Sequence, residues 1–112
     1  MKIKLSTLNL AFLAASLFCL ASTAFAQADA GKDALYVKSL AATCANCHGT
    51  NGKAVDGSSV VSIAGLDKAY MVAQMKAFKS GTRPATIMHQ LSKGYSDAQI
   101  ETLATYFAAQ KK

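Results

Sequence analysis

Two cysteines and a histidine within five residues, Cys44-Ala45-Asn46-Cys47-His48, constrain this chain more than any other stretch. The rest of the sequence has modest means of building a core. It is 112 residues long, lacks Trp, and draws much of its 52% hydrophobic content from its first 26 residues. A domain of that size sits near the limit below which a staple, metal or cofactor usually completes the fold. The cluster is the natural place for such a group.

The N-terminus sets the compartment. Lys2 and Lys4 precede an apolar run from Leu10 to Leu20, and Ala24-Phe25-Ala26 supplies a small-x-small site. This pattern is that of a secretory signal peptide, residues 1–26, cleaved after Ala26. The run is shorter than the roughly 20 residues a spanning helix needs. Lipidation at Cys19 is disfavoured because the bulky Phe18 precedes it. The sequence therefore predicts an exported, periplasmic domain over 27–112 with no membrane span, whose remaining cysteines are Cys44 and Cys47. Without Lys2 and Lys4, ten of the 12 basic residues face 6 acidic ones, and the net charge falls from +6 to +4.

The domain reads as all-α. Good helix formers run from Asp29 to about Thr43. Met71, Val72, Met75 and Phe78 make one stripe on a helix over Leu66 to Lys79, with Asp67 as N-cap and Gly81 as stop. Ser96-Asp97-Ala98-Gln99 is a capping box opening a helix to Gln110, with Ile100, Leu103, Ala104 and Phe107 on one face. Two loops rich in turn residues separate these helices, and the second holds the single proline, Pro84. Ser58 to Ile63, "SSVVSI", is the one strand-like run and is too isolated to build a sheet.

Three chemistries fit two cysteines at this spacing. A redox dithiol of thioredoxin type expects a βαβ context, which the pattern lacks. A zinc site needs about four ligands in tetrahedral array; only Cys44, Cys47, His48 and His89 are available, and His48 directly follows Cys47. A bare disulfide suits an exported chain but leaves His48 without a role. The third reading, covalent haem, uses every residue. Cys44 and Cys47 form thioethers to the two vinyl groups, and His48 binds the iron from one side. One haem c per chain follows from the single motif, and the porphyrin supplies the missing apolar surface at about 25 cal/mol per Å².

Four residues are candidates for the opposite axial position: Met71, Met75, Met88 and His89. Met71 and Met75 share the apolar stripe, where methionine ordinarily fills core. Met88 lies in the loop between two helices, which can close over the second face of the ring, so it is favoured. His89 remains the alternative and would give a bis-histidine haem of lower potential.

The segments "LAATCANCHGTNG", "YMVAQMKAFKSGTRPATIMHQLSKGYSDAQI" and "ATYFAAQ" resemble the class I c-type cytochromes. Within them the chain is most similar to the cytochrome subunits of flavocytochrome c sulfide dehydrogenases. The resemblance implies a small cytochrome c fold with Met88 as axial methionine and Arg83 at a haem propionate. It implies terminal helices that cross near Tyr106 and Phe107. It also implies a partner, an FAD-containing flavoprotein that oxidises sulfide and passes electrons singly to the haem. Two positions depart from the family. Val61 stands where a proline usually lies beside the carbonyl that holds the imidazole, so this hydrogen bond must come from a freer backbone. Val37 occupies the region where a small residue eases the helix crossing.

An iron with both axial positions filled offers no site to a substrate, so the expected role is electron transfer, with any catalysis on the partner. Two other readings stand beside it: a free soluble shuttle to a respiratory chain, and an open-iron, gas-binding haem protein. The lysines are spread along the domain. Nucleic-acid binding, which needs a clustered basic patch, is excluded. These charges can steer an acidic redox partner.

Overall fold

The structure, a computed structural model, describes residues 31–112. The signal peptide over 1–26 and the helix start at Asp29 lie outside the described residues. Residues 36–112 belong to one compact unit. Helix α1 covers 31–48. It is followed by a 3₁₀ turn at Thr50–Gly52, helix α2 at Lys68–Ser80, the one-turn helix α3 at Met88–Leu91, a second 3₁₀ turn at Ser92–Gly94, and helix α4 at Asp97–Ala108. The described residues contain no strand. The fold is all-α, as the sequence predicts.

The two long downstream helices start where their caps dictate. Asp67 Oδ1 accepts from the Tyr70 amide at 2.8 Å, satisfying one donor that the first turn leaves free. Gly81, in the left-handed conformation (φ 79, ψ 6), closes α2. At α4 the capping box is complete in both directions. Ser96 Oγ accepts from the Gln99 amide at 3.2 Å, and the Ser96 amide donates to Gln99 Oε1 at 2.9 Å. The helix stops at Ala108 rather than Gln110.

Ile100, Leu103, Ala104 and Phe107 are buried on one face of α4, and the last three pack with Met71 of α2 and Ala41 of α1. The small residue that lets α1 approach α4 is therefore Ala41, one turn after Val37. Tyr106 meets Phe107 edge to face, with ring centroids 5.1 Å apart, and its hydroxyl donates to Asn51 Oδ1 at 2.8 Å.

Helix α1 is longer than the expected end near Thr43. It carries Cys44, Cys47 and His48 on its last turns.

The strand-like run at 58–63 does not extend a ladder, because its amides turn inward onto one carbonyl. Gly52 O accepts from Ile63 N at 2.8 Å, Ala64 N at 3.0 Å and Ser62 Oγ at 3.0 Å. Gly52 itself is at φ +80, and a Cβ there would lie 2.7 Å from both Ile63 Cγ1 and Phe107 Cδ1. Only glycine lets the turn and α4 approach this closely.

An apolar cavity joins the cysteine-bearing helix to the methionine segment

α1, α2, α4 and the two connecting loops enclose a cavity of about 310 Å³. Its walls are apolar, drawn from Leu66, Met71, Phe78, Ile100, Leu103 and Phe107. Four sequence-predicted residues from three segments reach it: Cys44 and His48 from the end of α1, Arg83 from the loop after α2, and Met88 from the start of α3. Cys47 does not line it and is exposed. Both cysteines are free thiols, so the bare disulfide does not form here. No group of three or more His, Cys, Asp or Glu side chains is placed to hold a metal ion among the described residues. The tetrahedral zinc reading therefore gains no cluster.

His48 is oriented by backbone. Its Nδ1–H donates to Val61 O at 2.7 Å, which fixes the ring and leaves Nε2 as the nitrogen free to bind a metal. Val61 is exposed. Its carbonyl is aimed by the Gly52 clamp on the next three residues, without the proline usual at this position. Burial pushes the Cys44 thiol up.

Arg83 is held on three sides at the cavity mouth. Its guanidinium donates to Gln74 Oε1 and lies over the Phe78 ring, 4.6 Å from the centroid. Its amide donates to Ala77 O at 3.1 Å. The result is a fixed cation beside an apolar pocket, suited to a carboxylate.

Met88 is the first residue of α3 rather than part of an irregular loop. The fully buried Ser92 donates through Oγ to Met88 O at 2.8 Å. Met71 is buried in the core cluster, as expected for a filling residue, and Met75 also touches the cavity. His89 does not line the cavity, and its Nδ1 is buried without a hydrogen-bond partner among the described residues.

The donor set fits a haem: two free thiols on the last turns of α1, an oriented imidazole, a thioether, apolar walls and a cation at the rim. Sequence reasoning missed Gln74, Thr43, Tyr95 and Ser92. These act through hydrogen bonds, several of them between residues far apart in sequence, and carry no local motif.

A cytochrome c family model matches residues 34–111. The cytochrome subunit of sulfide dehydrogenase from Chlorobaculum tepidum is 41% identical over 69 residues, which make up 61% of this chain and 60% of that protein. A thiosulfate dehydrogenase electron acceptor from Thiomonas intermedia is 35% identical over 71 residues, 63% of this chain and 33% of that one. Among solved structures, cytochrome c4 of Acidithiobacillus ferrooxidans matches with a TM-score of 0.55 at 32% identity, covering 59% of this chain and 37% of that one. The chain thus spans less than two thirds of the length of each of these three proteins.

Proposed function

Since the chain belongs to the cytochrome c family, we propose that it is a periplasmic electron-transfer protein with one covalent haem, accepting electrons from a flavoprotein sulfide dehydrogenase. The observation that carries this is the convergence of Cys44, His48, Met88 and Arg83 on one apolar cavity. When bound, haem supplies a one-electron iron couple whose potential depends on its axial ligands and surroundings.

In this reading Cys44 and Cys47 tether the group through thioethers, the exposed Cys47 being open to that reaction. His48, fixed by Val61 O, would hold the iron through Nε2, and Met88 would hold it through its sulfur. A thioether there favours the reduced state and a high potential. Leu66, Leu103 and Phe107 exclude water, so oxidation change is accompanied by little reorganisation of the surroundings. Arg83, braced by Gln74 and Phe78, would meet a propionate.

The partner is inferred from the Chlorobaculum tepidum relative, whose name describes a subunit of sulfide dehydrogenase. The Thiomonas intermedia relative, named an electron acceptor of thiosulfate dehydrogenase, favours a second reading, a carrier that docks transiently with a different sulfur-compound dehydrogenase. Export through residues 1–26 places either in the periplasm.

The test is a reduced-minus-oxidised spectrum of the native protein followed by size exclusion of the periplasmic extract. A low-spin c-type spectrum co-eluting with a yellow flavin chromophore supports the subunit. The same spectrum in a flavin-free peak of about the chain's own mass supports the free carrier. Rapid carbon monoxide binding by the reduced wild type would defeat both, because it requires an open iron.

A further inference from the structure

We propose that Tyr95 and Thr43 form a latch that positions Met88, pinning the segment around α3 onto the helix that carries the cysteines. This rests on the reading of Met88 as the axial ligand.

The segment needs such a device. A single helical turn does not sustain itself, since nucleation is unfavourable without propagation. Its N-cap, Ile87, makes no side-chain capping bond. Ile87 and Leu91, the large apolar residues flanking Met88, are 54% and 44% exposed, so they provide little burial to hold α3 down. What fixes the segment lies at its far end.

Tyr95 is bound to two other helices at once. Its carbonyl accepts from Lys79 Nζ of α2 at 2.8 Å, and its hydroxyl lies 2.6 Å from Thr43 Oγ1 of α1. Its ring packs against the buried core. The single proton of the Thr43 hydroxyl is directed at Leu40 O, 2.8 Å away, so Tyr95 is the donor and Thr43 Oγ1 the acceptor. From Tyr95 the connection runs back to the methionine. The Tyr95 amide donates to Ser92 O at 3.3 Å, and Ser92 Oγ donates to Met88 O at 2.8 Å. At the other end, Thr43 Oγ1 is 3.8 Å from Cys44 Sγ. One run of hydrogen bonds therefore links the backbone of Met88 to Thr43, the residue before the first cysteine. It sets the methionine segment against the helix that also presents His48.

Tyr95 and Thr43 touch neither ligand atom, so they are positioning residues. Their loss should ease the departure of Met88 from the iron more than it alters the rest of the fold. The haem-loaded full chain is titrated in its ferric state with imidazole, which binds only when Met88 leaves. The sulfur-to-iron charge-transfer band and the thermal midpoint are recorded alongside.

Tyr95→Phe and Thr43→Val, each nearly isosteric, should raise the apparent imidazole affinity by roughly three- to tenfold, the range one ordinary hydrogen bond allows. The double variant should add little to either single one. Thr43→Ser, which keeps the hydroxyl, should restore wild-type affinity. Thr102→Val, which removes a hydroxyl bonded to Ala98 O within α4, should leave imidazole affinity unchanged. The latch is wrong if Tyr95→Phe binds imidazole like the wild type while the charge-transfer band is present, and Met88 ligation then stands without it. It is also wrong if Thr102→Val raises the affinity as much, since the effect would be general loosening. A wild type without the band overturns the Met88 reading and the latch together.

Discussion

At the scale of single residues, the axial ligand is the sharpest point. Met88 lines the cavity and His89 does not. Met88→Ala should therefore keep both thioethers while lowering the reduction potential and admitting carbon monoxide rapidly to the reduced protein. Its stability cost should not exceed the roughly 2–5 kcal/mol of a large-to-small core change. His89→Ala should leave spectrum and potential nearly unchanged. If the roles were reversed in potentiometry and carbon monoxide kinetics, the haem would be bis-histidine. Gly52 is a second such point. Its positive φ and the 2.7 Å approach to Ile63 and Phe107 side chains make Gly52→Ala costly, by about 1–3 kcal/mol from backbone strain alone. The same change should loosen the loop that aims Val61 O at His48. A lowered thermal midpoint together with an altered haem spectrum is the expected result. Wild-type behaviour in both would show that the turn relaxes freely.

At the scale of elements, the junction between α2 and α4 contains a titratable contact. Lys79 Nζ lies 2.9 Å from Asp97 Oδ1, and this hydrogen bond, then its charge, holds the Asp97 carboxyl below the ordinary carboxylate range. Such a group stabilises the fold above its unfolded pKa, and the contribution disappears as pH falls through the lower folded value. Asp97→Asn should thus lower the thermal midpoint slightly at pH 6, and the gap should close in acid well below pH 4. The effect is small because the pair is solvent-exposed. A gap that persists at pH 2.5 would assign it to something other than the ion pair. The caps at Asp67 and Ser96 and the buried face of α4 were legible in sequence because each is a local pattern with a fixed spacing. α3 was not, since four residues carry no periodicity and its anchors are distant. Thr43 and Tyr95 are 52 residues apart. The end of α1 was placed too early for a related reason: Cys-Ala-Asn-Cys has no strong helix signal, and the turn is kept by tertiary packing. The cavity followed from the motif, whereas the bracing of Arg83 by Gln74 depends on where α2 and the following loop meet.

At the scale of the whole molecule, the core is arranged around a space rather than across it. Among the described residues seven apolar ones are buried, three of them alanines, and the largest side chains of the core face a cavity of about 310 Å³. An unfilled apolar cavity of that size forfeits the packing that stabilises small domains. The chain lacking haem, made with Cys44→Ala and Cys47→Ala, should show weak helicity and no cooperative thermal transition by circular dichroism. A sharp transition in that protein would mean that the α-helical shell is self-sufficient.

The distance along the chain between the two walls of the pocket has a kinetic consequence. Four of the seven apolar residues buried among the described residues lie on α4, whereas both thiols and the imidazole lie on α1. Contacts within one helix are local, but docking α4 on α1 closes a long loop and is the slower event. The attachment residues are thus accessible in the unclosed chain, and enclosure follows covalent capture without a separate opening step.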